Sequence, residues 1–303
     1  MIADAAVDEI AAGRMEFDAI GTRWVIDTPE PLPLGLEARI LAEINDFDFE
    51  WSRFRPDSVV AAVAREGGQF PVGVDGEAML RLYTRLADAT DGAVNPFVGA
   101  TLEHLGYDPT YRLSPAPGAP KPVPGWEGRF QRTTALLQLP RGTVLDVGAV
   151  GKGRLVDVVA DVIRRAGIES FTVDAGGDLR HVGPARVRIG LEHPLDPTRA
   201  VGVVTLTDGA IAASATNRRA WADGLHHVID ARTGAPVRGI LATWALARTA
   251  MIADAASTAA FFLPPSEVLS ALDGVHAVVV MPTSGPLRHA GLDDERVVAE
   301  LYP

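Results

Sequence analysis

Residues 145–157 (LDVGAVGKGRLVD) place three glycines, a lysine and acidic side chains where a strand pattern gives way to a helix pattern. Glycines let a backbone approach a ligand closely, and the first N–H groups of a helix attract negative charge. The run therefore predicts a phosphate-binding junction. It is not a Walker loop, because Asp146 and Gly153 stand where that motif has Gly and Ser or Thr. Val156 likewise breaks the dinucleotide fingerprint.

A second candidate for ligand chemistry is the pair Asp254 and Thr258, near the start of a predicted helix. Residues four apart lie on one helix face, so a carboxylate and a hydroxyl can meet one ligand. Oxygen donors of this kind suit Mg²⁺ or Ca²⁺. The alternative is that Asp254 stabilises the helix N-terminus while Thr258 only packs.

His226 and His227 are adjacent in a strand pattern that leads into a turn at residues 230–234 (DARTG). Successive strand residues point to opposite faces, so we expect one imidazole to line a cavity. Imidazole titrates near neutral pH, which makes that histidine a candidate for proton transfer. A satisfied structural histidine is the alternative.

Two loops complete the candidates. Residues 90–99 (TDGAVNPFVG) contain two turn-forming pairs and predict the end of a helix. The glycines of residues 174–178 (DAGGD) indicate either a tight turn or a close approach to a ligand, with equal weight.

The elements around these candidates predict an α+β fold with mostly antiparallel sheet and flanking helices. Helical spacing covers residues 36–54, 79–86, the segment after Gly153 and 251–263. Strand patterns cover residues 20–26, 170–174, 187–191, 200–207, 209–213, 227–230, 242–247 and 277–281. Residues 108–128 are too rich in proline for a helix or a central strand, and predict a long surface excursion.

Composition excludes several classes. The formal charge of −11 disfavours non-specific binding to nucleic acid or anionic lipid, and the lack of cysteine excludes disulfides and thiolate chemistry. Residues 1–15 predict a weakly ordered lead-in without the features of a signal peptide, and no 18-residue apolar stretch occurs, so we expect a cytoplasmic protein without a membrane span.

Taken together, the motifs resemble the ApbE family of flavin transferases, in one order along most of the chain. The matching segments are residues 20–24 (IGTRW), 51–58 (WSRFRPDS), 91–96 (DGAVNP), 145–153 with Asp157, 175–178 (AGGD), 227–234 (HVIDARTG) and 253–258 (ADAAST). The resemblance implies one ApbE-like, T-fold-related domain over residues 16–303, as a single body or as two intimate lobes.

The resemblance also implies a reaction: Mg²⁺-dependent transfer of FMN from FAD to a Thr or Ser hydroxyl of an acceptor protein, with release of AMP. FAD diphosphatase activity giving FMN and AMP, or non-catalytic FAD binding, are the alternatives. The implied FAD-binding residues are Ile20, Ala93, Val94, Asn95, Asp146, Lys152 and His227. The implied Mg²⁺ ligands are the Ala149 carbonyl, Asp254 and Thr258, with His227 and Asp254 as catalytic residues.

The chain departs from the family pattern at several of these positions. Ile20 replaces a methionine, and Val94 and Asn95 replace Phe and Asp. Loss of the carboxylate at Asn95 is expected to weaken attraction for a second cation, and loss of the aromatic ring to alter flavin packing. The core turn and the Asp254/Thr258 pair are kept.

Overall fold

The computed structural model describes residues 6–7, 12–126, 130–131, 136–222, 224–293 and 298–302. The chain forms two compact units. The sheet unit comprises Met1–Asn45, Lys152–Ala215 and Gly239–Pro303, and the loop unit comprises Asp46–Gly151 and Thr216–Arg238.

The strands are β1 (Ala6–Val7), β2 (Gly13–Ala19), β3 (Thr22–Thr28), β4 (Gly68–Pro71), β5 (Phe130–Gln131), β6 (Leu136–Leu139), β7 (Phe171–Asp174), β8 (Asp178–Val182), β9 (Val187–His193), β10 (Asp196–Leu206), β11 (Gly209–Ala215), β12 (Ala220–Trp221), β13 (Leu225–His226), β14 (Ile229–Asp230), β15 (Ala235–Pro236), β16 (Ile240–Ala247), β17 (Val275–Pro282), β18 (Arg288–Ala290) and β19 (Val298–Leu301). The helices are α1 (Leu36–Trp51), α2 (Val59–Glu66), α3 (Val74–Ala89), α4 (Gly99–His104), α5 (Gly151–Arg165), α6 (Ala250–Ala259) and α7 (Pro265–Ala271), with a 3₁₀ turn at Pro96–Val98.

The sheet unit is built on an eight-stranded sheet in the order β18-β17-β16-β11-β8-β7-β3-β2. Every neighbouring pair in it is antiparallel. A second antiparallel sheet has the order β1-β9-β10-β19. One apolar cluster joins the two sheets, since Ile189 and Val204 of the second pack with Ile211, Trp244 and Val279 of the first.

Helix α6 packs on β11 and β16 of the large sheet. Its buried positions are mostly alanines, which let the helix backbone come close to the strands. Where a polar group is buried there, it is paired: Ser257 Oγ lies 2.7 Å from Ser214 Oγ of β11, and Thr243 Oγ1 of β16 donates to the Ser257 carbonyl at 2.7 Å. The sheet thereby fixes the helix that carries Asp254 and Thr258.

The loop unit contains α2, α3, α4, a three-stranded sheet β4-β6-β5 and two short hairpins, β12-β13 and β14-β15. Leu102, Tyr107, Trp221 and Ile229 form a buried cluster that ties α4 to both hairpins. Residues 108–126 have no helix or strand, as the proline content predicts. Among the residues that the structure describes, no helix is long and apolar enough to cross a bilayer.

The antiparallel α+β fold confirms the predicted class, but several local predictions differ from the structure. The lead-in over residues 1–15 was too long, because β2 begins at Gly13. Helix α7 was missed, because its seven residues are too few for a clear period. Strand β8 was missed because Asp178, Arg180 and His181 give it a polar sequence, although all five of its residues are buried.

The strand predicted over residues 20–26 corresponds to β3 and begins at Thr22, because Ile20 and Gly21 form the two-residue turn between β2 and β3. Ile20 has a φ of 46° and Gly21 a φ of 76°. Glycine adopts such angles freely, whereas a β-branched side chain there is strained. The hairpin tip therefore stores strain at a position where the family has a different residue.

We predict that Ile20→Asn raises the free energy of unfolding by about 1 kcal/mol, because Asn tolerates the left-handed region and Asn-Gly favours this turn. Urea unfolding of the wild type and the variant measures the change. Ile20→Val is the matched control: it keeps the β-branch and should bring no gain. Equal or lower stability of Ile20→Asn would show that the turn is not strained by Ile20.

Candidate functional site

In the loop unit, the turn at residues 145–151 is held by the side chain of Asp146. Its Oδ2 accepts from Arg53 Nε at 2.5 Å, and its Oδ1 accepts from the Gly148 N–H at 2.7 Å. Burial alone would raise the pKa of Asp146, but the Arg53 charge and these hydrogen bonds outweigh it and hold the pKa below its usual value. Asp146 is thus an ionised group that shapes the turn from within.

Tyr83 of α3 fixes the backbone of the same turn. Its hydroxyl donates to the Asp146 carbonyl at 3.0 Å and accepts from the Ala149 N–H at 3.3 Å. The Asp146 N–H in turn donates to the Pro96 carbonyl at 2.7 Å. The turn is therefore preformed by partners from α3 and from the neighbouring loop.

That neighbouring loop contains the predicted FAD-binding residues Ala93, Val94 and Asn95, all three of them buried. The Ala93 carbonyl accepts from the Ala231 N–H at 3.0 Å, which ties the loop to the turn that follows His227. The loop unit therefore brings together residues 93–95, the Asp146 turn and the segment after His227.

Asn95 uses both ends of its amide. Oδ1 accepts from the Phe97 N–H at 2.9 Å and caps the 3₁₀ turn, while Nδ2 donates to the Pro124 carbonyl at 3.0 Å. A carboxylate could make the first bond but not the second, because it has no hydrogen to donate. The departure from Asp at this position therefore has a structural partner in the proline-rich excursion.

The two histidines differ in burial, but they do not alternate along one strand as predicted: His226 ends β13, and His227 lies in a bend before β14. His226 is buried, its Nε2 bonds the Val237 carbonyl at 2.9 Å, and its Nδ1 accepts from the Val228 N–H at 3.3 Å. The neutral Nε2–H tautomer satisfies both bonds, and burial lowers the pKa of His226. His226 is therefore a structural residue, and half-buried His227 is left as the candidate for chemistry.

In the sheet unit, α5 and α6 hold each other by their N-terminal turns. Asp254 Oδ2 of α6 accepts from the Gly153 N–H of α5 at 3.0 Å. Asp157 of α5 accepts from the Ala250 and Met251 N–H groups of α6, both at 2.9 Å. Each helix thus supplies a carboxylate to the free N–H groups of the other, where the helix dipole also favours negative charge.

Gly153 is required by this arrangement. A Cβ at Gly153 would lie 2.3 Å from the Ala250 carbonyl oxygen, so any larger residue would push the helices apart. Gly153 therefore makes room for α6 as well as for a possible ligand. The sequence spacing did not reveal this packing role.

Asp254 and Thr258 lie on one face of α6, with Asp254 buried and Thr258 half-buried. An ionised carboxylate has about four acceptor sites, so the bond to Gly153 does not exhaust Asp254. Among the described residues, no group of three His, Cys, Asp or Glu side chains is arranged to hold a metal. The oxygen ligands that α6 offers are instead one carboxylate and one hydroxyl. They suit a hard cation that takes its other oxygen ligands from the substrate.

Lys152 and Ile20 also belong to the sheet unit. Lys152 Nζ lies 3.3 Å from Asp178 Oδ1 at the end of the β7–β8 turn. Thr22, two residues after Ile20, donates to the Ala175 carbonyl of the same turn at 3.3 Å. Sequence reasoning missed Arg53, Tyr83 and Asp178 as partners, although Arg53 and Asp178 lie inside motifs already recognised.

We predict that Asn95→Asp lowers the free energy of unfolding by about 1–3 kcal/mol, because a carboxylate oxygen would face the Pro124 carbonyl in place of a donor. Urea unfolding at neutral pH measures the loss. Asn217→Asp, the same change at an exposed position, is the control and should have little effect. A stability of Asn95→Asp equal to that of the control would mean that the Pro124 bond is unimportant.

Burial raises the pKa of Asp157 to about 6, against the opposing effect of its two N–H bonds. A carboxyl whose pKa is higher in the folded state stabilises the fold fully below about pH 4, and this contribution is lost as pH rises through 6. We therefore predict that the stability of the wild type relative to Asp157→Asn falls by on the order of 2–3 kcal/mol between pH 4 and 7.

Urea unfolding of both proteins across this pH range measures the difference. Asp161→Asn, one turn further along α5 with 42% of its side chain exposed, is the matched control and should keep the pH dependence of the wild type. If the stability of the wild type relative to Asp157→Asn instead rises with pH, the hydrogen bonds from the helix N–H groups outweigh burial in setting the pKa of Asp157.

Comparison with known proteins identifies relatives over most of the chain. Residues 20–280 match the ApbE family. The chain is 30% identical to an FAD:protein FMN transferase of Vibrio cholerae serotype O1, over 73% of this chain and 70% of that protein. It is 27% identical to the FAD:protein FMN transferase of Escherichia coli strain K12, over 84% and 79% of the two chains.

Solved structures agree with the fold. The ApbE protein of Thermotoga maritima superposes with a TM-score of 0.74 at 24% identity, covering 91% of this chain and 96% of that one. The flavin transferase ApbE of Vibrio cholerae gives a TM-score of 0.74 at 22% identity, with the same coverage. The predicted resemblance and the predicted α+β fold are both confirmed, and the chain belongs to the ApbE family.

Proposed function

We propose that this chain is an FAD:protein FMN transferase that works with Mg²⁺. Its curated relatives carry that name, and the ordered motifs that led to the resemblance are present in this sequence. The observation that carries the proposal is the contact between α5 and α6, which fixes the carboxylate of Asp254. Asp254 shares a helix face with Thr258, and α5 begins directly after the glycine-rich turn.

In the proposed reaction, a Thr or Ser hydroxyl oxygen of an acceptor protein attacks the FMN-side phosphorus of FAD. A new P–O bond forms, the bond to the bridging oxygen of the diphosphate breaks, and AMP leaves. The hydroxyl proton is lost to a base. Such a transfer depends mainly on placing the diphosphate and on balancing the charge of the leaving group.

The residues that would hold Mg²⁺ are the Ala149 carbonyl, Asp254 and Thr258, an all-oxygen set. When bound, Mg²⁺ would offset negative charge on the diphosphate. The Gly153 N–H keeps the Asp254 carboxylate in one orientation, so this ligand needs no rearrangement. Ile20, residues 93–95, Asp146 and Lys152 would contact FAD, with Asp146 acting through the turn that it shapes.

His227 is the proposed positioning or proton-accepting group for the hydroxyl. Its neighbour His226 is committed to two backbone bonds in its neutral form, whereas His227 is half-buried beside the turn that contacts Ala93. Histidine is the side chain that most often carries out such proton transfers.

We predict that Asp254→Ala lowers FMN transfer by at least about a hundredfold, because it removes the single carboxylate among the proposed metal ligands. The assay incubates FAD, Mg²⁺, the purified chain and a candidate acceptor protein encoded near it in the genome. Mass spectrometry then follows the mass of the acceptor. A gain equal to FMN less one water, with release of AMP, is the expected result.

Asp161→Ala removes a half-buried carboxylate of α5 that is not a proposed ligand; it is the control and should retain activity. Free FMN and AMP without an acceptor adduct would identify an FAD diphosphatase, and intact bound FAD would identify a flavin-binding protein. Either result overturns the transferase. Full activity of Asp254→Ala would remove Asp254 from the metal site.

A further inference from the structure

The turn between β7 and β8 lies beside the ammonium group of Lys152. Asp178 Oδ1 lies 3.3 Å from Lys152 Nζ; the side chain of Asp178 is 1% exposed and that of Lys152 is 23% exposed. A carboxylate so deeply buried requires a nearby positive charge. Lys152 supplies that charge and is thereby held at one place.

The two glycines of the turn make this contact possible. Gly177 has a φ of 136°, and a Cβ added to it would lie 3.3 Å from Lys152 Nζ. Gly176 has a φ of 66°, and a Cβ there would lie 2.2 Å from Thr22 Oγ1. The glycines thus accommodate the chain's own Lys152 on one side and the β2–β3 hairpin on the other.

Several hydrogen bonds fix the turn itself. Asp174 Oδ1 accepts from the Gly176 N–H at 2.8 Å, and the Ala175 N–H donates to the Asp178 carbonyl at 2.9 Å. The Ala213 N–H donates to the Gly177 carbonyl at 2.8 Å, which ties the turn to β11. Asp178 therefore presents its carboxylate from a rigid support.

We propose that Asp178 is a positioning residue for Lys152 in the transfer reaction, with Gly177 leaving the space beside the ammonium. A free lysine has a flexible four-carbon stem, and ordering it costs entropy at the moment of binding. The buried carboxylate orders it beforehand, so the FAD complex forms without that cost. The role of Lys152 toward FAD rests on the proposed function, but the positioning contact does not.

The first test uses the fact that Lys121 and Lys152 are the two lysines of the chain. Trace acetylation of the folded protein, followed by peptide mass spectrometry, gives the rate at Lys152 relative to exposed Lys121. In Asp178→Asn we expect this ratio to rise several-fold, because the amine is released from its carboxylate. The matched control is Asp208→Asn, which removes an exposed carboxylate paired with the buried Arg180 and should leave the ratio unchanged.

The second test is a double-mutant cycle in FMN transfer. We expect Asp178→Asn and Lys152→Met each to lower kcat/KM by on the order of tenfold, and the double variant to be no worse than Lys152→Met, because Asp178 acts through Lys152. Asp178→Glu, which keeps the charge, should recover part of the activity. A residue with a merely structural role would instead give multiplicative losses.

An unchanged lysine ratio in Asp178→Asn, or multiplicative losses in the cycle, overturns the proposal. If Asp178→Asn does not fold, Asp178→Glu carries the test, because moving the carboxylate by one methylene must alter both the ratio and kcat/KM. If the wild type transfers no FMN but the ratio rises as expected, the proposed function fails while the positioning contact stands.

Discussion

The sheet unit depends on the reciprocal contact between the N-terminal turns of α5 and α6. Both helix starts have N–H groups without intrahelical partners, and both are buried, so each would be costly alone. Asp157 satisfies the N–H groups of α6 and Asp254 satisfies one of α5. The same bonds set the position of Asp254, so helix packing and the proposed metal site have one common cause.

The sequence left two interpretations of Asp254 open, a ligand for a cation and a residue that stabilises a helix N-terminus. Asp254 does stabilise a helix N-terminus, but that helix is α5 and not its own. The carboxylate is therefore aimed across the helix pair and not along α6. A structural role and a ligand role are compatible here, since the bond to Gly153 uses one of several acceptor sites.

The sequence alone predicted the fold class, the family and most of the central strands, because alternation and motif order are local signals. It could not predict partners far apart in sequence, such as Tyr83 and Ala149 or Arg53 and Asp146. Strand β8 was hidden because its buried Arg180 and His181 are satisfied by groups that only the fold brings near, Asp208 and Thr172 among them. The roles of the predicted site residues toward FAD and Mg²⁺ stay predictions.

The distribution of charge explains why a cation belongs in the proposed reaction. The chain has a formal charge of −11, and two cations of the recognised motifs are already paired within their own units, Arg53 with Asp146 and Lys152 with Asp178. Paired cations orient a ligand but add little net attraction for a diphosphate. Backbone N–H groups at the start of α5 would supply some attraction in the proposed complex. A divalent cation held by Asp254 and Thr258 would supply the remainder, which is the physical reason for including Mg²⁺ in the proposed reaction.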